Sequence, residues 1–256
     1  MICGFDMKIL ITNDDGFNAE GLKVLYELLN DKNEVFIFVP DRERSASSHC
    51  LTLNIPLKVN KVDKNIYTIN GMPTDCVLIA LNGILRDIGI DVVLSGINHG
   101  PNLGEDVLYS GTVAAAFEAV MWGMPGMSFS LASFENPDFS GFKKYFKSLF
   151  YTLYDKIKED NAVMNINFPN VSADKIKGIK FTKLGTRRYD DAIVKVSDPR
   201  GNDYYWIGGH KPDWKNEKGS DYDAVFNNYI SVTPLKIDLT DYEFLKILEK
   251  EINFEL

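Results

Sequence analysis

Short apolar runs rich in branched residues recur along the chain at 8–11, 35–39, 91–94, 126–130 and 164–168. The first three are nearly continuous in apolar character, the pattern of parallel strands covered on both faces. Between them, 19–29 sets Leu22, Leu25, Leu28 and Leu29 on one helical face, and 75–85 and 112–122 also repeat with helical period. Strands alternating with helices imply right-handed crossovers and a doubly wound α/β sheet, whose ligands sit beyond the carboxyl ends of the strands.

The texture changes from about Ile176, where Gly, Asp, Tyr and Trp become frequent. Gly201-Asn202-Asp203 separates two segments, 192–196 and 204–207, that read as an extended hairpin arm. A returning strand over 229–234 and a final amphipathic helix over 241–248, with Thr240 as its N-cap, complete the pattern. The expected division is a catalytic core over 1–175. Residues 176–256 then supply an arm, a returning strand and a helix suited to exchange between subunits.

Composition narrows the class. With 256 residues, 45% of them hydrophobic, the chain buries a large core without staples. Three cysteines, Cys3, Cys50 and Cys76, are an odd number with no CxxC spacing, which suits a reducing cytoplasm better than a disulfide or zinc framework. No apolar stretch approaches the roughly 20 residues of a membrane span, and no secretion signal opens the sequence. Met7, directly before the first strand, is a candidate internal start. A net charge of −8 disfavours a nucleic-acid polymer as partner but leaves room for a small anionic substrate.

The chemistry gathers at the strand exits. "ILITNDDG" carries the first strand straight into Asp14 and Asp15, followed by Gly16. An Asp-Gly loop capping the helix from about Asn18 is the plain alternative. Two adjacent carboxylates repel each other unless something positive lies between them, and a hard divalent cation is the simplest candidate. After the second strand comes "PDRERSASSH", in which Arg42, Glu43 and Arg44 read either as a salt-bridged surface or as a phosphate clamp. After the third comes "SGINHGPNLG", a glycine-punctuated loop whose Asn98 offers an oxygen suited to Mg²⁺ or Mn²⁺. His99 in that loop stays open between a plain loop residue and a catalytic one. Ser110-Gly111-Thr112 then opens a helix, whose unpaired N–H groups form a candidate phosphate cradle.

Taken together, "ILITNDDG", "VPDRERSASSH", "GMPTDCV", "SGINHGPNLGEDVLYSGTVAAAFEA" and "NINFP" resemble the SurE family of metal-dependent nucleotide phosphatases. The resemblance is strongest from Met7 to Pro169. It implies a three-layer α/β/α Rossmann-like core with a mostly parallel sheet and one divalent cation per subunit, Mg²⁺ or Mn²⁺. It also implies hydrolysis of nucleoside monophosphates, polyphosphate hydrolysis in some members, and assembly into homodimers or homotetramers. Carried over residue by residue, the metal ligands are Asp14, Asp15, Ser45 and Asn98. On that basis the substrate phosphate meets the cation and the Ser110-Gly111-Thr112 helix end, with Asn98 beside it and Asn13 and Asn102 as further candidates for holding phosphate or water. Asp14 or Asp15 orients or deprotonates the attacking water.

Other readings compete. A phosphoryl-accepting receiver domain needs an acceptor aspartate after its third strand, where this chain has Leu94-Ser95-Gly96. A haloacid-dehalogenase-like phosphatase needs a DxD pair where this chain has Asn-Asp-Asp-Gly. A metal- and nucleotide-binding regulatory protein without turnover remains the alternative from a different functional class.

Overall fold

A computed structural model describes residues 6–159, 162–188, 193–207, 213–215 and 217–252. Its centre is a nine-stranded sheet. The amino-terminal part supplies β1 (Lys8–Thr12), β2 (Glu34–Pro40), β3 (Val59–Asp63), β4 (Ile66–Ile69), β5 (Val92–His99), β6 (Gly126–Ala132) and β7 (Val163–Pro169). β8 (Ile179–Phe181) follows, and later come the short ladder of β9 (Arg187–Arg188) with β12 (Asp213–Trp214), the hairpin β10 (Ile193–Ser197) and β11 (Asp203–Ile207), and β13 (Ile230–Leu235). The order in the main sheet is β3-β4-β2-β1-β5-β6-β7-β13-β8; β4 through β7 run parallel, while β3 and β13 pair antiparallel with β4 and β7.

Period-two alternation sorts the strand residues to two faces. Ile9 and Ile11, with Val35, Ile37 and Val39, face α1 (Glu20–Leu29) and α4 (Ser140–Ile157). Leu10, Phe36, Phe38 and Val93 face α2 (Pro73–Ile79) and α3 (Gly111–Met121). Three layers result, as the resemblance implied. A short α5 (Asp221–Phe226) precedes β13, and α6 (Tyr242–Glu251) closes the described chain. The sequence reading leaves α4 out, although Phe142, Phe146, Phe150 and Ile157 recur on one face of it. The three phenylalanines stack along the helix, and Phe142 packs tilted on Phe168 of β7. Each is fully buried and contributes roughly 2 kcal/mol of hydrophobic stabilisation.

The structure corrects several expectations. The segment after Leu94 is not a loop: β5 continues to His99, and Asn98 and His99 pair with Ser130 and Leu131 after an irregularity between Ser95 and Asn98. Gly96 permits this, with φ +135 and no room for a Cβ against the Phe129 carbonyl. The helix expected over 75–85 begins at Pro73 and turns π-helical over Ala80–Ile84, where Asn82 and Gly83 are poor helix formers. The N-cap of α6 is Asp241, whose side chain accepts the Phe244 N–H, so Thr240 lies one residue outside the cap position.

The hairpin and final helix occur as expected, with Ala192 outside the described residues. β13 and β8 both join the main sheet, so that sheet draws on chain from either side of residue 175. The hairpin strands β10 and β11 and the helix α6 bury no side chain.

Candidate active site

β1 delivers Asn13, Asp14 and Asp15 to the carboxyl edge of the sheet, beside its neighbours β2 and β5. Asn13 closes the turn: its Nδ2 donates to the Gly16 carbonyl at 2.9 Å and its Oδ1 accepts the Gly16 N–H at 3.2 Å. Both polar ends of this buried amide are thus spent on the loop. Gly16, at φ +85, lies against the backbone of Arg42 and Glu43, where a Cβ would come within 3.1 Å. Close approach of the two strand exits therefore requires glycine at this position.

That contact brings the 41–50 segment over the carboxylates. The Arg44 N–H donates to the Asp14 carbonyl at 2.7 Å, and the exposed Ser45 follows it. The Ser45 hydroxyl donates to Glu43 Oε1 at 2.7 Å. Farther along, Ser48 is tied through its N–H to the Tyr109 carbonyl at 2.9 Å and through its Oγ to the Leu108 carbonyl at 2.6 Å. His49 Nε2 meets Glu118 Oε2 at 2.6 Å, and the other oxygen of this buried carboxylate accepts from Trp122 Nε1. The loop is strapped to α3 as well as to β1. Arg44 bonds the Asn70 carbonyl and pairs loosely with Asp41 at 3.7 Å, so its side chain belongs to the loop's own support.

The helix α3 meets Asp14 directly. Ser110 is its N-cap, accepting the Val113 N–H at 3.1 Å, and the fully buried Thr112 hydroxyl donates to Asp14 Oδ1. A Cβ on Gly111 would stand 3.2 Å from Asp14 Oδ2, so the bare helix end sits against the carboxylate. On the other side, Asp15 Oδ2 accepts the His99 N–H at 3.1 Å, which puts Asn98 beside the pair. Asn98 Nδ2 is turned to the Gly100 carbonyl at 2.8 Å, and no protein donor among the described residues reaches its Oδ1. His99 contributes its backbone here, with an exposed ring. His210 lies outside the described residues.

Asp14 is buried, and its pKa is pushed up to about 6, first by loss of solvent and further by the charge of Asp15, against the opposing hydrogen bonds of Thr112. Asp15 is raised as well, by burial and then by Glu43, although the His99 N–H opposes the shift. Among the described residues no lysine or arginine forms an ion pair with either carboxylate. No three His, Cys, Asp or Glu side chains converge on a metal-binding point there either. A buried carboxylate and a half-buried one side by side, with the Glu43 charge acting on the second and no lysine or arginine among the described residues paired to either, suit a hard cation such as Mg²⁺, which uses one or two carboxylates and retains water.

Asn102 sits behind this edge, in a buried amide network. Its N–H donates to Asn167 Oδ1 at 2.9 Å, its carbonyl accepts from Asn165 and Asn167, and its own Nδ2 donates to Ser130 Oγ at 2.8 Å. Asp221 holds the next turn, accepting the Gly104 N–H and the Gly185 N–H, each at 2.8 Å. Sequence reasoning missed these supports. Two asparagines alternating inside the otherwise apolar β7 were a readable signal, whereas nothing local marks Asp221.

Residues 9–191 match the family model described as "Survival protein SurE". A "5'-nucleotidase SurE" from Geotalea daltonii is 43% identical over 95% of this chain and 98% of its own length. One of the same description from Vibrio cholerae is 42% identical over 95% and 96%. The crystal structure of the SurE protein from Aquifex aeolicus superimposes with a TM-score of 0.84 at 42% identity, covering 95% of this chain and 98% of that one. With paired carboxylates at the carboxyl edge of its sheet, and with this likeness spanning nearly its whole length, the chain belongs to the SurE family.

Proposed function

We infer that this chain is a divalent-metal-dependent phosphatase that hydrolyses nucleoside monophosphates to nucleoside and phosphate, as a phosphoric monoester hydrolase of the 5′-nucleotidase kind. The carrying observation is the buried Asp14 carboxylate, held by Thr112 at the start of α3 with Asp15 beside it and no lysine or arginine among the described residues ion-paired with either. The name its relatives carry, 5′-nucleotidase, agrees with that chemistry.

Asp14, Asp15, Ser45 and Asn98 would hold one cation, Mg²⁺ or Mn²⁺. Bound there, it would supply neutralisation of phosphoryl charge and a lowered pKa for water. The protein's own contribution is orientation. Thr112 fixes Asp14 Oδ1, leaving Oδ2 facing the helix end, and the His99 N–H fixes Asp15. The N-terminus of α3, from Ser110 through Thr112, directs its partial positive charge at the substrate phosphate. Asp14 or Asp15 orients or deprotonates the attacking water. Asn98 adds a neutral polar contact, while Asn13 and Asn102 support the two loops from behind.

Residues 1–175 serve as the catalytic core. The exposed hairpin and α6 serve self-association into a homodimer or homotetramer, because they display Ile193, Trp206, Ile207, Phe244 and Ile247 to solvent. No described helix is long and apolar enough to cross a membrane. The thiols of Cys50 and Cys76 are unpaired, which suits the reducing cytoplasm.

Phosphate release from a panel of nucleoside monophosphates and from polyphosphate, with Mg²⁺, Mn²⁺ or EDTA, tests the reading. Metal-dependent release from the monophosphates is expected. Binding of metal and nucleotide without release would favour the regulatory alternative and overturn the hydrolase.

A further inference from the structure

The Ser47 hydroxyl is buried and finds no hydrogen-bond partner within the described protein. Buried polar atoms are almost always paired, so an orphan at a functional edge needs an explanation. Five other such atoms occur among the described residues. Thr12 Oγ1 and Ser95 Oγ belong to paired residues of β1 and β5, inside the sheet. The Nε atoms of Arg44 and Arg187 belong to guanidiniums bonded through their other nitrogens, and Asn33 Oδ1 to an amide whose Nδ2 is bonded. Ser47 differs in its place: a Cβ added to Gly111 would collide with Ser47 Oγ and stand 3.2 Å from Asp14 Oδ2. The hydroxyl thus lies against the bare start of α3, beside the Asp14 carboxylate.

The backbone is committed to that placement. Ala46 and Ser48, on either side of Ser47, both adopt left-handed φ, at 55 and 54, which residues other than glycine rarely do. Ser48 is tied to the carbonyls of Leu108 and Tyr109, and Arg44 to that of Asp14, so the segment is pinned on both sides of Ser47. The two bent residues hold Ser47 against the helix end.

We propose that the Ser47 hydroxyl donates a hydrogen bond to a phosphoryl oxygen of the substrate, alongside the N-terminus of α3. The proposal rests on the phosphatase reading and adds a binding residue to it. A hydroxyl donating to a charged phosphate forms a strong bond, and no group among the described residues competes for this one. Ser47 is therefore a residue whose removal should cost binding and not folding.

Ser47→Ala separates the possibilities by thermal unfolding with and without orthophosphate at saturating Mg²⁺, and by nucleoside monophosphate turnover. The phosphate-free melting temperature is expected to stay level or rise. The stabilisation given by orthophosphate should shrink, and kcat/KM should fall about tenfold, mostly through KM. A phosphate-induced shift and kcat/KM equal to those of the unsubstituted protein would overturn the proposal. So would a loss of Mn²⁺ affinity in phosphate-free calorimetry, which would make Ser47 a cation ligand, and so would the absence of any phosphate-induced shift in the unsubstituted protein. If that protein binds orthophosphate yet hydrolyses no monophosphate, the phosphatase reading fails, and the comparison of phosphate shifts still judges Ser47.

Discussion

The carboxyl edge of the sheet and the far end of the chain break the usual rule of burial in opposite directions. At the edge, polar groups are buried: Asp14, Thr112, Asn102 and Asp221 are all enclosed. At the hairpin and α6, apolar groups are exposed: Trp206 is 68% accessible, Ile207 88% and Phe244 54%. Burying a carboxylate is costly without a compensating charge, and exposing a broad apolar surface is costly without a cover. The first imbalance calls for a small ligand and the second for another protein surface. The two regions also differ in anchoring. Asp14 is held by Thr112 on α3 and through its carbonyl by Arg44, whereas α6 has no buried residue.

Perturbing each region separately sharpens the contrast. Short of replacing a carboxylate itself, the largest effect is expected from Gly111→Ala, whose methyl collides with Ser47 Oγ and crowds Asp14 Oδ2. Steady-state phosphate release should fall by about 10²-fold, the scale at which misplacing a reacting group by an ångström acts, while circular dichroism remains native. At the other end, paired Leu245→Glu and Leu248→Glu substitutions on α6 should shift sedimentation to a smaller species. The core should keep its unfolding transition, because neither side chain is buried in it.

A pH experiment isolates the cost of the buried carboxylate. The folded pKa of Asp14, about 6, lies above its ordinary value of 3.8, so the folded state binds the extra proton between those values. Its contribution to stability is complete below pH 3.8 and is lost as the pH rises through about 6. Asp14→Asn should therefore make the metal-free protein more stable than the unsubstituted one at pH 7, by up to about 3 kcal/mol. The advantage should vanish near pH 4, as read by denaturant midpoints in EDTA. The smallest effect is expected at Asp221, where Asn would turn an amide group toward a backbone N–H of Gly104, Gly185 or Tyr222. Chemical denaturation of Asp221→Asn should register a loss of about 1–3 kcal/mol.

How much of this could be read from the sequence follows the same division. Strands buried on both faces announce themselves as nearly unbroken apolar runs in β1 and β2, and as apolar residues alternating with serine or asparagine in β6 and β7, so all four were legible. β5 was placed correctly at its start but cut short, because a bulge containing Gly96 resembles the start of a loop. Asp14, Asp15 and Thr112 were legible as strand-exit and helix-start residues, and the structure brings them together. Asn13 and Asn102 were legible as polar residues near the edge, but residue type alone cannot tell a side chain that faces a ligand from one that ties a loop. β3, β4 and β8 escaped notice because their residues are largely exposed or only partly buried, which leaves little apolar signal. Asp221 and the His49–Glu118 pair depend on contacts 36 to 117 residues apart, which no local pattern encodes.

On the proposed reading, the Asp14–Asp15 pair holds the cation on which hydrolysis depends. The most direct measurement is Mn²⁺ calorimetry, run beside phosphate release from nucleoside monophosphates, for the unsubstituted protein and Asp14→Asn. One Mn²⁺ per subunit is expected in the unsubstituted protein, and in Asp14→Asn weakened binding together with a fall in turnover of at least about 10³-fold. Unchanged Mn²⁺ binding with undiminished phosphate release in Asp14→Asn would contradict that reading.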